Sequence, residues 1–271
     1  MAIMVKRTVK TTQKPVKEKQ KYFRIVMLFV GVIIVSAALG LFLWGFSKVL
    51  FSRNPHFILR RVEVFSSGWW NGKSKDIISM LNLKPDRDNL FSSELTLNNL
   101  RNNLEKIPSV ESATISRILP DTLRIKIIER IPRAFLKSNR SRWVVDEHAI
   151  VMLRDYCLNL KLEMPIILGF DFNAPIKPGM ELPEIQPALD LIMLTVRYFP
   201  NIKISAVSIR NPENLDFFML YKGKKQYEVL IPRKRLNLML KVLEEAIVKA
   251  LGNDDQRAVI NLTYDGNAVF R

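Results

Sequence analysis

From Ile25 to Phe46 the chain runs for 22 residues without a charge, IVMLFVGVIIVSAALGLFLWGF. At about 1.5 Å of rise per residue, a helix of that length crosses a hydrocarbon core of roughly 30 Å. Gly31, Gly40 and Gly45 would weaken a soluble helix, but glycine is common in spanning ones. Tyr22 and Trp44 stand near the two ends, where amphipathic rings prefer the interface. The run is too long for the apolar region of a cleavable signal, and Ala37-Ala38 would place a cleavage site inside it. The sequence therefore reads as an uncleaved single anchor. Residues 1–24 carry eight Lys or Arg (Lys6, Arg7, Lys10, Lys14, Lys17, Lys19, Lys21, Arg24) against one acid, Glu18. The flank after the span holds only Lys48, Arg53, Arg60 and Arg61, so the positive-inside rule predicts a cytoplasmic N-terminus. A tail of this composition is expected to stay disordered and loosely held to anionic headgroups.

The formal charge of +16 would raise nucleic acid as a partner if it were spread over a folded face. Outside the tail only 34 basic residues oppose 25 acidic ones, so the charge argues for a membrane-bound tail and against a nucleic-acid surface. Cys157 is the lone cysteine, which excludes an internal disulfide. His56 and His148 fall in different parts of the chain, and neither a metal spacing, a phosphate loop nor a nucleophile elbow is present. No catalytic residue, cofactor, metal or small-molecule substrate is predicted.

Beyond a linker over 47–56, Phe57 to Phe65 alternates as a strand. Ser74 is a candidate N-cap for a short helix with Ile77, Ile78 and Leu81 inward. A second helix is predicted from Ser93 to Ile107 on the spacing of Leu97, Leu100, Leu104 and Ile107. Val110–Ile118 and Leu123–Arg130 then alternate around the turn Leu119-Pro120-Asp121-Thr122, with Leu123, Ile125 and Ile127 facing the core. The order strand, helix, helix, strand, strand is that of a small α+β domain. Its Glu129-Arg130 pair, taken alone, is a charged strand end worth less than about 1 kcal/mol.

Ile107-Pro108-Ser109-Val110-Glu111-Ser112-Ala113, Arg117, Leu119-Pro120-Asp121-Thr122-Leu123 and Glu129-Arg130-Ile131-Pro132-Arg133-Ala134 together resemble the signature of FtsQ-type POTRA domains. The signature positions are Pro108, Val110, Ala113, Arg117, Pro120, Leu123, Glu129, Arg130 and Pro132. A basic tail, one anchor and then this domain is the layout of the FtsQ/DivIB cell-division proteins.

Residues 136–271 are expected to form a second, mixed α/β domain with a largely antiparallel sheet, following a POTRA domain over 57–135. Arg142-Trp143-Val144-Val145-Asp146 resembles a family strand after which a glycine usually turns the chain; here His148-Ala149 stands in that turn. Pro175 to Pro187 reads as a surface loop, and Pro187 opens a helix that runs to about Phe199. Strands are predicted over Ile204–Ile209, Leu215–Tyr221 and Gln226–Ile231, the last two joined by a hairpin at Tyr221-Lys222-Gly223-Lys224. The helix Lys234–Leu251 presents Leu236, Met239, Leu240, Leu243, Ile247 and Ala250 on one face. The chain closes with a strand Ala258–Tyr264, the turn Asp265-Gly266 and an apolar stub, Ala268-Val269-Phe270.

Leu262-Thr263-Tyr264-Asp265 resembles the family's closing strand, with Asn261 and Thr263 replacing its usual Asp and Arg. The resemblance implies a non-catalytic bitopic scaffold of the divisome in the inner membrane, at the septum, with its folded part outside the cytoplasm. It implies FtsB-like and FtsL-like partners, and other divisome proteins, bound at Ile260, Asn261, Leu262, Thr263, Tyr264 and Phe270 by strand addition. Tyr264 is either an aromatic anchor there or a residue that closes the core. POTRA domains also serve export and envelope assembly, the alternative function.

Overall fold

The computed structural model describes residues 16–137, 141–158, 163–169, 175–252, 258–264 and 267–270. Helix α1 (Val16–Ser47) contains the whole uncharged run and begins before it, so residues 16–24 of the expected tail are helical. Lys6, Arg7, Lys10 and Lys14 lie outside the described residues, as does the turn Asp265-Gly266. From Tyr22 onward no side chain of the span is buried. A stripe this apolar, packed on nothing in the protein, suits lipid as its solvent.

The small domain has a three-stranded sheet of β1 (Arg61–Phe65), β2 (Val110–Ile118) and β3 (Thr122–Glu129), in the order β1-β3-β2. β2 and β3 form an antiparallel hairpin, while β1 runs parallel to β3, with Val64 opposite Ile125. Leu123, Ile125 and Ile127 are buried as their alternation requires, under α2 (Ser74–Met80) and α3 (Leu97–Glu105). Three boundaries differ from expectation, the first being α3, expected from Ser93 to Ile107 but spanning Leu97–Glu105. The segment before Arg61 is no strand: Leu59 donates its N–H to the Asp88 carbonyl and accepts from Asp86 N–H, pairing with the loop between the helices. Ser74 is the first residue of α2 and Lys73 precedes it, with no side-chain cap bond.

The second domain is one nine-stranded sheet. Its strands are β4 (Ala134–Leu136), β5 (Trp143–Val145), β6 (Val151–Leu153), β7 (Ile166–Leu168), β8 (Ile202–Ser208), β9 (Asn214–Tyr221), β10 (Lys225–Pro232), β11 (Val259–Tyr264) and β12 (Asn267–Phe270). In space they run β12-β11-β10-β9-β8-β7-β4-β5-β6. Pairing is antiparallel except at β10–β11, β4–β7 and β7–β8. Helices α4 (Gln186–Tyr198) and α5 (Leu236–Gly252) cover one face, and all six apolar residues assigned to the stripe of α5 are buried. The β9–β10 hairpin turns over 222–224, with Lys222 and Gly223 at positive φ (47° and 68°) and Lys224 N–H donating to the Tyr221 carbonyl at 3.1 Å. β4 starts before residue 136, so the second sheet takes in Ala134 and Phe135.

Candidate partner-binding edge and domain junction

The signature residues of the small domain divide by role. Val110, Ala113 and Leu123 are buried in its core, and Pro120 is exposed in the hairpin turn. Arg117 leaves β2 to hold the loop between α2 and α3. Its Nε donates to the Leu90 carbonyl at 2.6 Å and an Nη to that of Leu95 at 3.3 Å. Pro108 follows α3 at the junction, where a side chain at Gly179 would meet its ring at 3.5 Å.

Glu129 and Arg130 are not a surface pair with one another. The Glu129 carboxylate accepts from Trp69 N–H and Trp70 N–H, both at 2.8 Å, and from Ser66 Oγ at 2.5 Å. It therefore closes the turn after β1, and a Cβ on Gly68 would run into it. Arg130 points into the second domain and donates to Asp146 Oδ2 at 2.9 Å, with side chains only 16% and 4% exposed. The other Asp146 oxygen accepts from His148 N–H at 3.0 Å and Ile150 N–H at 2.8 Å. One carboxylate thus shapes the turn after β5 and ties the domains together. Ala149 sits in that turn at φ +59°, a conformation that suits the family's glycine better than alanine. Beside the pair, Trp69 and Trp70 pack on Tyr156 with ring centroids 4.9 and 6.1 Å apart. Burial, with the nearby acids Glu129 and Asp155, pushes the Cys157 thiol up to about 11. Asp146, Tyr156 and the Trp69-Trp70 pair carry this junction; sequence reasoning placed Asp146 in a family-like strand without this role and did not single out the other three. The Trp-Trp dipeptide between Gly68 and Gly72 was the available signal, because two bulky rings in a turn need a surface to bury them.

At the far end of the sheet the predicted binding residues come together unevenly. Ile260 and Leu262 are buried, whereas Tyr264 is 52% exposed and does not close the core. Asn261 Oδ1 accepts from Thr263 N–H at 2.9 Å and Oγ1 at 2.7 Å, so the Thr263 amide already has a partner. Phe270 packs partly buried against the core from β12. β11 is not the edge: β12 pairs with it, Phe270 opposite Ile260 and Val269 opposite Asn261. Among the described residues β12 is the last strand in the sheet. The opposite edge, β6, is covered by residues 179–182: Val151 N–H bonds to Met180 O, Gly179 N–H to Val151 O, and Ile150 bridges Glu181. Part of the expected Pro175–Pro187 surface loop thus acts as an edge cover. Among the described residues, none pairs as a strand with the outer side of β12. Among the described residues no three of His, Cys, Asp and Glu gather as a metal site.

An apolar helix followed by a POTRA domain and a larger mixed sheet defines a POTRA-bearing protein with one candidate membrane span. Residues 67–130 match the family profile of the POTRA domain, FtsQ-type. The cell division protein FtsQ of Koribacter versatilis is 26% identical over 162 residues, 60% of this chain and 45% of the relative. The cell division protein DivIB of Clostridium tetani is 26% identical across 80% of both chains, and FtsQ of Zymomonas mobilis is 23% identical across 85% of this chain and 71% of the relative. The chain thus spans less than half the length of the Koribacter relative. It carries an FtsQ-type POTRA domain and is similar to the FtsQ and DivIB cell-division proteins.

Proposed function

We propose that the protein is a non-catalytic scaffold of bacterial septum assembly, anchored by α1 with its N-terminus in the cytoplasm and its two folded domains outside. Its relatives carry the names of cell-division proteins, and the fold supplies a surface for assembly. The observation that carries the reading is the asymmetry of the nine-stranded sheet: residues 179–182 cover one edge, and among the described residues no strand pairs with the outer side of β12. An incoming strand gains main-chain hydrogen bonds along β12, and alternate side chains beside Tyr264 supply selectivity. The partners in this reading are the extracytoplasmic ends of FtsB-like and FtsL-like proteins, through which septal peptidoglycan synthesis would be recruited or regulated.

The register of β12 designs the test. Consecutive residues of a strand direct their N–H groups to opposite sides, so of Ala268 and Val269 one donates toward β11 and the other outward. Proline at the outward position is tolerated by an edge strand but removes a donor from the incoming partner. Ala268→Pro, Val269→Pro and Tyr264→Ala are compared in the full-length protein in detergent, reading melting temperature and capture of the partners' extracytoplasmic segments. One of the two prolines should keep its melting temperature and lose capture. Tyr264→Ala should remain folded and cost about 2 kcal/mol of affinity, the loss expected of an aromatic anchor. Undiminished capture by all three variants would place the binding site elsewhere.

A further inference from the structure

The chain does not become a free linker where it leaves the span. The uncharged run ends at Phe46, and α1 passes directly into a wide turn of helix over Lys48–Ser52. Phe51 lies five residues past Phe46, about 7 Å further along the axis. The headgroup zone of one leaflet is itself roughly 5–8 Å deep, and aromatic rings settle there. At that depth the helix end is joined to the small domain. The Phe51 ring centroid is 5.9 Å from that of Phe57 and 5.4 Å from that of Phe91, and Phe57 and Phe91 are 5.1 Å apart. Ser52 Oγ donates to the Phe91 carbonyl at 2.9 Å, and Asn89 Nδ2 to the Asn54 carbonyl at 2.9 Å. The Arg117 guanidinium, already bonded to Leu90 and Leu95, lies 5.0 Å from the centre of the Phe91 ring.

From this we infer that the loop between α2 and α3 rests on the lipid headgroups of the leaflet that α1 leaves, held there by the Phe51–Phe57–Phe91 clasp. Leu50 and Phe51 are each 43% exposed at the site, a poor arrangement in water but a suitable one among headgroups. Lys48, whose ammonium lies 3.9 Å from the Trp44 ring centre, and the exposed Arg53 supply cations for lipid phosphates. The domain is then fixed in height and orientation above the bilayer through Phe91, which packs against the POTRA core, and two rings that stand outside it. Phe51 and Phe57 are not among the residues packed into that core.

The inference rests on α1 spanning the membrane, and the experiment separates the two. The full-length protein with Cys157→Ser is reconstituted in vesicles of phosphatidylethanolamine and phosphatidylglycerol, with a nitroxide attached through Val35→Cys, Ser93→Cys or Pro178→Cys. Collision with oxygen, which concentrates in the bilayer, is compared with collision with a water-soluble nickel chelate. Val35 should collide with oxygen and Pro178 with nickel. Ser93, in the loop, should be shielded from nickel several-fold relative to Pro178. Phe51→Ala should release it to the Pro178 value. If Val35 is reached by nickel, the span itself is wrong. If Val35 is in the bilayer and Ser93 meets nickel as freely as Pro178, the docking is overturned. Shielding at Ser93 that survives Phe51→Ala would overturn the clasp as its cause.

Discussion

Asp146 shows how much one carboxylate can organise, since it serves Arg130 with one oxygen and two backbone amides with the other. Removing one partner of a largely buried ion pair costs about 3 kcal/mol or more, because the remaining charge stays buried and unpaired. Asp146→Ala loses both sets of bonds, whereas Asp146→Asn keeps an oxygen for His148 and Ile150. The alanine variant should therefore melt lowest, and the asparagine variant should fall between it and the wild type. The gap between the two reports the turn, and the gap from asparagine to wild type reports the charge pair. Asp216 behaves in the opposite sense. Burial, and then the neighbouring Glu228, raises its pKa. The folded protein thus holds the Asp216 proton more tightly than the unfolded chain, whose aspartates titrate near about 3.9. The resulting stability is fully present below that value and is lost as pH rises through the folded pKa. Asp216→Asn should consequently raise the melting temperature at pH 7 and leave it unchanged at pH 3. A variant that melts lower at pH 7 would show that the Asp216 charge is compensated.

The strands and helices that were legible in the sequence are those with one wet face. β2, β3 and α5 each bury a single stripe, so their periodicity stands out. β4 does not. Ala134 and Leu136 enter the main core, while Phe135 enters a smaller cluster with Val144 and Met152 on the other side. With both faces covered there is no alternation to read, which is why the domain boundary was expected two residues too late. The closing strand fails differently. Ile260, Leu262 and Tyr264 are two apart and would share a face in a regular strand, yet only the first two are buried. Pairing with β10 is registered only to Asn261, and the β11–β12 register shifts between Asn261 and Tyr264. A bulge re-aims the side chains beyond it, so the exposure of Tyr264 could not be read from spacing. The apolar stub after it could not be recognised as an edge strand either, because four residues next to Asp265-Gly266 carry too little pattern. Where periodicity was clear it also makes a firm prediction. Leu123 is fully buried in the central strand of the small sheet. Leu123→Asp places an unpaired charge there and should cost several kcal/mol. The two domains have separate cores, so hydrogen exchange should show protection lost over β1–β3 while β8–β10 stay protected. Protection retained over β1–β3 would mean that Leu123 reaches water.

The whole molecule places its devices in series. The Phe51 clasp joins the candidate span to the POTRA domain, Arg130 and Asp146 join that domain to the sheet, and the β12 edge lies beyond. Asp146 follows β5, beside the covered edge, and β12 ends the sheet on the other side. Eight strand spacings separate the two edges, about 40 Å. A partner held at β12 therefore sits far from the junction, and defects at the two places should separate: Asp146→Ala lowers stability, and Tyr264→Ala lowers capture. The arrangement has meaning only if the folded domains lie on the side of the membrane opposite the basic tail. Cys157 helps to test this, since a half-buried thiol held up to about 11 is scarcely ionised at neutral pH and should react slowly with maleimides. Engineered cysteines can then be read above a low background. With the outer envelope permeabilised, Pro178→Cys should be labelled in intact cells by a membrane-impermeant maleimide, and Lys10→Cys only after the inner membrane is broken. Labelling of residue 10 but not of residue 178 would reverse the orientation. It would also put the β12 edge in the cytoplasm, where extracytoplasmic partners could not reach it.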